Sequence, residues 1–447
     1  MSDLGLFDGV LTRGGVHEAV SDTAWLQAML DVEAALARAE AGAGVIPAEH
    51  AEAIAGACQA ERFDIAALGR QAAAVGNPAA PLVAALRERV GGSAAADVHR
   101  GATSQDIVDS AAMLVARRAL EPLLADLEAA ADAAAGLAVA HRNTVMAGRT
   151  LLQHAVPVTF GLKAAGWLVA LDECAARLRR VRDTRRAAQL GGAAGTLAAL
   201  GDAGPEVLGG LAAELGLAEP VVPWHTDRTR IAELAGALGA ACGVGAKVAG
   251  DLVLLAQTDV GEVREGGEES RGGSSTMPHK RNPVAAISAR AAARQAPGLV
   301  ATLLDAMEHE HERAAGAWHA EWPALRALLS FTGSATAWLR DGLAHLEVDA
   351  QRMRENLDRT GGAPLAERVA RALAVELGRD GADQLVREAL AAGRLEQAAG
   401  EHLGAQEAER LLDPAAYIGA TAEFIDRALS AHEQATARAA SGQGDGS

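Results

Sequence analysis

The residues best suited to chemistry lie between positions 266 and 283, where the chain reads GGEESRGGSSTMPHKRNP. Four glycines, two adjacent serines, Lys280 and Asn282 sit there between two long stretches of helical pattern. A long connection without its own pattern, inside a compact protein, is either functional or disordered. Disorder accounts for the glycines and serines but poorly for Met277 and Pro278 set against His279, Lys280, Arg281 and Asn282 immediately before a helix. A cation isolated in a glycine-rich loop is what an acidic protein needs if it is to receive an anionic substrate.

A second polar island is His99-Arg100-Gly101-Ala102-Thr103-Ser104-Gln105-Asp106. At a helix start Thr103 and Ser104 offer hydroxyls and unpaired backbone N–H groups, and Asp106 suits the first turn. Such a terminus either binds a carboxylate or is an ordinary N-cap. The third island, Gly148-Arg149-Thr150-Leu151-Leu152-Gln153-His154, runs to Pro157, which suits a helix start. Thr150, Gln153 and His154 there could face a cleft, or His154 could be a packing residue. His309 and His311 do not read as a metal pair, because side chains two apart on a helix do not share a face. The arginine-rich stretch 177–186 reads as a solvated helix face. Neither G-x-G-x-x-G nor G-x-x-x-x-G-K-[ST] occurs, so no nucleotide cradle of those kinds, no metal and no cofactor is expected.

These islands must be positioned by helices. Of 447 residues, 50% are hydrophobic and only 3% aromatic, with Tyr417 the single tyrosine. The apolar mass is Ala, Leu and Val, and Ala and Leu lead the helix-propensity ranking. Asp22 is a plausible cap for a helix over 23–42, in which Leu26, Met29, Leu30 and Glu33 recur at helical spacing. Stretches 107–141, 157–186, 231–263 and 283–313 each carry roughly 30 residues of helical pattern, about 45 Å of helix. Such lengths predict a long bundle whose outer faces other subunits cover. No alternating strand pattern of useful length is found. The fold class read from this is all-α.

A net charge of −17, from 41 basic and 58 acidic side chains, repels a phosphate backbone, so nucleic acid is a poor partner. Cys58, Cys174 and Cys242 are odd in number and widely spaced, as in a reduced cytoplasmic protein without disulfides. Asp3 and Asp8 stand where a signal peptide would be basic, and the longest uncharged apolar run, 234–246, is too short to cross a bilayer. No membrane partner is expected.

Together the islands resemble the three signature regions of the fumarase/aspartase superfamily. Gly273-Ser274-Ser275-Thr276-Met277-Pro278-His279-Lys280-Arg281-Asn282 matches its G-S-S-x-M-P-x-K-x-N motif throughout, and Thr103-Ser104-Gln105-Asp106 matches T-S-x-D. In order and spacing the resemblance covers essentially the whole chain. It implies a three-domain helical protomer, with an N-terminal domain at 1–108, a central long-helix bundle at 109–360 and a small C-terminal domain at 361–447. It also implies a homotetramer whose active sites draw on three subunits.

Finer details, among them LFDGV, GNPAAPLV, Pro223-Trp224-His225-Thr226 and Glu310-His311-Glu312-Arg313, resemble the bacterial cycloisomerase branch, which lactonises the conjugated tricarboxylate 3-carboxy-cis,cis-muconate. Many superfamily lyases have a histidine after the second-region threonine, where this chain has Leu151. A leaving carboxylate needs no proton at neutral pH, whereas an amine or hydroxide does, so the missing acid suits a cycloisomerase. It weighs against adenylosuccinate lyase, which shares the GSSTMPHKRNP run. The resemblance then implies Ser274 as the base at carbon, assisted by Lys280, with Asn282 aimed at the developing aci-carboxylate. Thr103, Ser104 and Gln153 would hold substrate carboxylates, as would Arg313 bidentately. Arg149, Ser275 and His99 complete the expected binding set.

Overall fold

The computed structural model describes residues 5–267, 272–273, 276–277 and 279–441. Its framework is a set of long helices: α1 (Asp22–Gly42), α2 (Ser104–Ala140), α3 (Phe160–Thr184), α4 (Thr229–Ala256), α5 (Val284–Ala293), α6 (Ala296–Asp305) and α7 (Ala317–Ala344). The helix α2 packs along α3 and α7, and α4 packs against α3, α5, α6 and α7. Alanines make this close approach possible. Ala111, Ala112, Ala116, Ala119, Ala130, Ala131, Ala134 and Ala138 of α2 are all buried, so helices can meet without large side chains between them. The helix α4 is apolar and long enough to cross a membrane by composition alone. Here its buried stripe is part of the bundle core.

The start of α1 differs from expectation by one residue. Ser21 is the cap, its Oγ accepting from the Ala24 N–H at 3.2 Å, and Asp22 already lies inside the helix. The stretch 283–313 is not one helix. It breaks at Arg294 and Gln295, because Pro297 cannot donate to an interior helical bond and instead fits the first turn of α6.

The stretch read as the start of α3 is a hairpin, β1 (Val145–Thr150) with β2 (Gln153–Thr159). Pro157 is therefore a strand residue opposite Ala147, and the cap of α3 is Thr159, which accepts from the Leu162 N–H at 3.1 Å. The pairing slips between Ala147 and Arg149. At the slip, a Cβ on Gly148 would come within 2.6 Å of the Val156 carbonyl oxygen, so only glycine fits. This bulge and Pro157 erase the alternation by which a strand is recognised in sequence. A second short pair joins β3 (Val263–Glu265) to β4 (Leu346–Val348).

After α8 (Ala350–Asp358), helices between 366 and 412 build a separate small core around Val369, Leu373, Val386 and Leu395. The last helix, α9 (Thr421–Ser441), returns to the bundle and packs on α3, placing Ile425 in the main core.

Packing tolerance along α7 is tight. A Cβ on Gly333 would lie 2.4 Å from the Cβ of Val16, on the short helix Val16–Ala19. Gly333→Ala is expected to destabilise the protein by about 1–3 kcal/mol through overpacking. Urea unfolding of the variant would check this, and an unchanged midpoint would show that the Val16 segment yields freely.

Candidate active site

The His99–Asp106 island is at one end of the bundle, and its acidic residue turns inward. Thr103 is the N-cap of α2 and forms a capping box with Asp106, whose carboxylate accepts from the Thr103 N–H at 2.9 Å. The same carboxylate accepts from the Gly191 N–H at 2.9 Å, the Gly192 N–H at 3.0 Å and His225 Nε2 at 2.6 Å. Asp106 is 0% exposed. It therefore holds the loop rather than facing a ligand. Thr103 and Ser104 remain half-buried at the surface of this end.

Arg313 comes to this island from the loop between α6 and α7. It donates to Gln105 Oε1 at 2.9 Å and to the carbonyls of Gly192 at 3.2 Å and Ala193 at 2.9 Å. Its partners here are neutral acceptors, so the guanidinium charge is not cancelled. His99, at a left-handed φ of 62°, meets Glu33 of α1, with 2.7 Å between Nδ1 and Oε1. A carboxylate only accepts, so Nδ1 carries the proton. Burial alone would lower the His99 pKa, but Glu33, with help from Asp106, outweighs it and the net shift is upward.

The Gly148–His154 island and the described residues of the 266–283 segment are at the opposite end. Arg149 of β1 makes a two-pronged pair with Glu262, at 2.9 and 2.5 Å, and Asn356 of α8 donates to the same carboxylate at 2.8 Å. Glu262 is 0% exposed, so Arg149 anchors the hairpin to the bundle. Gln153 is exposed beside the hairpin turn. Leu151 and Leu152 form that turn at φ 50° and 63°, and Leu151 is 96% exposed. His154 has its pKa lowered, first by burial and then by Arg149.

Three residues after Glu262, Glu265 fixes the base of the glycine-rich loop. Its carboxylate accepts from the N–H groups of Ala285 and Ala286, at 2.9 and 2.8 Å, and so caps α5 from a distance. Asn282 closes the loop by donating to the Gly272 carbonyl from its backbone at 2.8 Å and from Nδ2 at 3.2 Å. An isolated bridge joins Gly273 to Arg281. Lys280 is exposed on the returning limb. Ser274 and Ser275 lie outside the described residues.

The two ends are separated by the bundle's length. The helix α4 runs 28 residues from the Asp106 end to the Glu262 end, about 42 Å, and α2, with 37 residues, spans about 55 Å. Thr103, Ser104, His99 and Arg313 thus form one group, and Arg149, Gln153, Lys280 and Asn282 form another.

Sequence reading gave no positioning role to Glu33, Asp109, Arg228, Glu262, Glu265 or Glu321, the acids and the arginine that hold these groups. A signal was present for Glu33, which falls in register with Leu26, Met29 and Leu30 on the apolar stripe of α1. An acid on such a stripe is a buried acid. Among the described residues no cluster of three or more His, Cys, Asp or Glu side chains could hold a metal.

A helical bundle with a polar loop at each end and intact T-S-x-D and G-S-S-x-M-P-x-K-x-N runs defines a class. Residues 13–298 match the family model described as Lyase, and the chain belongs to that family within the fumarase/aspartase superfamily. A 3-carboxy-cis,cis-muconate cycloisomerase of Bradyrhizobium diazoefficiens is 49% identical over 442 residues, 95% of this chain and 97% of that relative. A nitrosuccinate lyase of Streptomyces davaonensis is 46% identical over 462 residues, 97% of this chain and 96% of that relative. Among solved structures, the 3-carboxy-cis,cis-muconate lactonizing enzyme of Pseudomonas putida is similar at a TM-score of 0.91 and 44% identity, over 96% of this chain and 99% of its own.

Beneath the His99 loop, burial and then neighbouring Glu33 push the Glu40 carboxyl up to about 8. The unfolded chain releases this proton near pH 4.5, whereas the folded chain keeps it to about 8. Wild-type stability therefore falls across that window relative to a variant with no proton to release. Glu40→Gln is expected to gain on the wild type from pH 4.5 to 8 and to gain no more above it. Thermal unfolding of both proteins across pH 4.5–9 measures the difference, and a pH-independent difference would refute a protonated Glu40.

Proposed function

We propose that the protein lactonises 3-carboxy-cis,cis-muconate to 4-carboxymuconolactone. The observation that carries this reading is the near-full-length similarity to cycloisomerases together with Leu151 at the exposed hairpin turn. In the reaction one substrate carboxylate oxygen forms a bond to an alkene carbon, and the displaced electron pair becomes an aci-carboxylate at the neighbouring centre. Ser274 then delivers a proton to that carbon. In reverse, Ser274 as alkoxide removes the proton and the carboxylate departs. No step requires an acid at Leu151, since a carboxylate leaves unprotonated near neutral pH.

Lys280 and Asn282 stabilise the aci-carboxylate, and Lys280 with the helix start lowers the Ser274 pKa. The closed arc from Gly272 to Asn282 supports this role by fixing the limb that carries both residues. Thr103, Ser104 and Gln153 hold carboxylates by neutral hydrogen bonds, Arg313 adds charge and His99 assists. Ser275 shapes the loop. Arg149 serves binding through the hairpin it anchors. The domain division at 108 and 360 belongs to the same proposal.

A single protomer cannot bring groups about 40 Å apart around one small substrate, so the site is composite and the protein a homotetramer. Exposed apolar side chains on successive bundle helices support this. Val169, Leu254, Ile287 and Leu304 are 38–50% exposed, and oligomer interfaces cover such patches. We place the protein in the cytoplasm, where its three buried free thiols stay reduced.

Purified protein given 3-carboxy-cis,cis-muconate should remove the diene absorbance, and activity with adenylosuccinate or nitrosuccinate alone would overturn the assignment. Ser274→Ala should lower kcat by orders of magnitude with binding largely kept, and wild-type turnover would remove Ser274 from the mechanism. Ser104→Ala and Gln153→Ala proteins, with one lesion at each end of the bundle and each inactive, should regain partial activity when denatured together and refolded. An active monomer by light scattering, or no recovery on mixing, would rule out the shared site.

A further inference from the structure

The proposed reaction leaves unexplained why α1 buries two acids behind the His99 loop. Glu33 and Glu40 stand seven residues apart, two helical turns, and therefore on one face. They are 1% and 0% exposed, and burying carboxyl groups costs several kcal/mol unless something returns it. Glu33 Oε1 meets His99 Nδ1 at 2.7 Å, while Glu33 Oε2 and both Glu40 oxygens have no hydrogen-bond partner among the described residues.

The arrangement is asymmetric. Glu40 keeps its proton at neutral pH, and Glu33 is the acid of the two that meets His99. The His99 side chain is 15% exposed, and its one hydrogen bond among the described residues is the bond to Glu33. Its backbone sits in the left-handed region, which His tolerates better than most residues but at a cost. Glu33 of α1, Asp106 of α2 and Arg87 of the helix Ala79–Val90 are the charged groups that act on the ring.

Resting on the cycloisomerase reading, we propose that Glu33 is a positioning residue: by accepting from Nδ1 it fixes the His99 ring and sustains its charge, so that Nε2–H meets a substrate carboxylate. Glu33 never touches substrate. A histidine held through Nδ1 by a buried carboxylate presents its second nitrogen in one orientation, and in the imidazolium that nitrogen also carries a proton to donate. An anion kept dry acts on the ring more strongly than a solvated one. Glu40, uncharged, covers the pair without competing for the proton.

The test uses the full-length protein. In Glu33→Gln, the KM for 3-carboxy-cis,cis-muconate should rise about tenfold or more with kcat changed less, and the pH above which KM climbs should fall, because the ring loses proton affinity. In a His99→Gln background the same substitution should cost little further, because its effect passes through His99. NMR titration of histidine-labelled protein, with the His99 signal identified by its loss in His99→Gln, should show the same downward shift without substrate. If the wild type does not consume the muconate, the functional reading fails, while the NMR titration still decides the role of Glu33. An unshifted His99 titration, or full additivity of the two substitutions, overturns the proposal. Should Glu33→Gln not fold, Glu33→Asp, which keeps the charge one methylene further away, should show the same changes in smaller measure, and wild-type values there would overturn it equally.

Discussion

Arg228, 2% exposed at the start of α4, donates to Asp109 of α2 at 2.8 and 3.1 Å and to Glu321 of α7 at 2.9 and 2.5 Å. Three long helices are thus pinned at one end by a single guanidinium with a fork for each carboxylate. Burial works against its charge, but the two acids outweigh this and hold it protonated. Replacing Arg228 would leave two buried carboxylates without their cation, at a cost of about 3–5 kcal/mol. Geometry is what the arrangement secures. Trp318 Nε1 and Gln105 Nε2 also donate to Asp109, at 3.0 Å each, and Gln105 in turn accepts from Arg313. The position of Arg313, and with it the loop from Glu310 to Ala315, is therefore set from inside the bundle.

The opposite end uses the same device with different residues. Glu262 immediately precedes β3 and Glu265 ends it, the first pairing Arg149 and the second capping α5. One short strand thereby fixes both the hairpin and the base of the glycine-rich loop. Both ends bury acids and use them to place flexible, chemically useful segments, which is why so acidic a protein can present cations where an anionic substrate would need them. The bundle between them sets a fixed distance. Rigid helices packed through alanine neither shorten nor bend enough to bring the ends together.

The long helices, the loops between them and the superfamily were legible in sequence. Helical periodicity over tens of residues is a strong signal, and the Gly273–Asn282 run is specific. The hairpin was not legible, because Gly148 and Pro157 break the strand pattern, and tertiary contact with α8 rather than local propensity holds it. The break at Pro297 was readable, but the continuing alanine pattern on both sides hid it.

Sequence by itself determined which residue types are available, in what order, and that they lie on an all-α scaffold of one superfamily. Only the tertiary structure decided which of them remain directed outward. Asp106 and Arg149 carry the same charges in either description, yet the fold commits one to three backbone N–H groups and a histidine and the other to Glu262. A side chain's partners come from distant parts of the chain, and those pairings are fixed by packing, which no local pattern encodes.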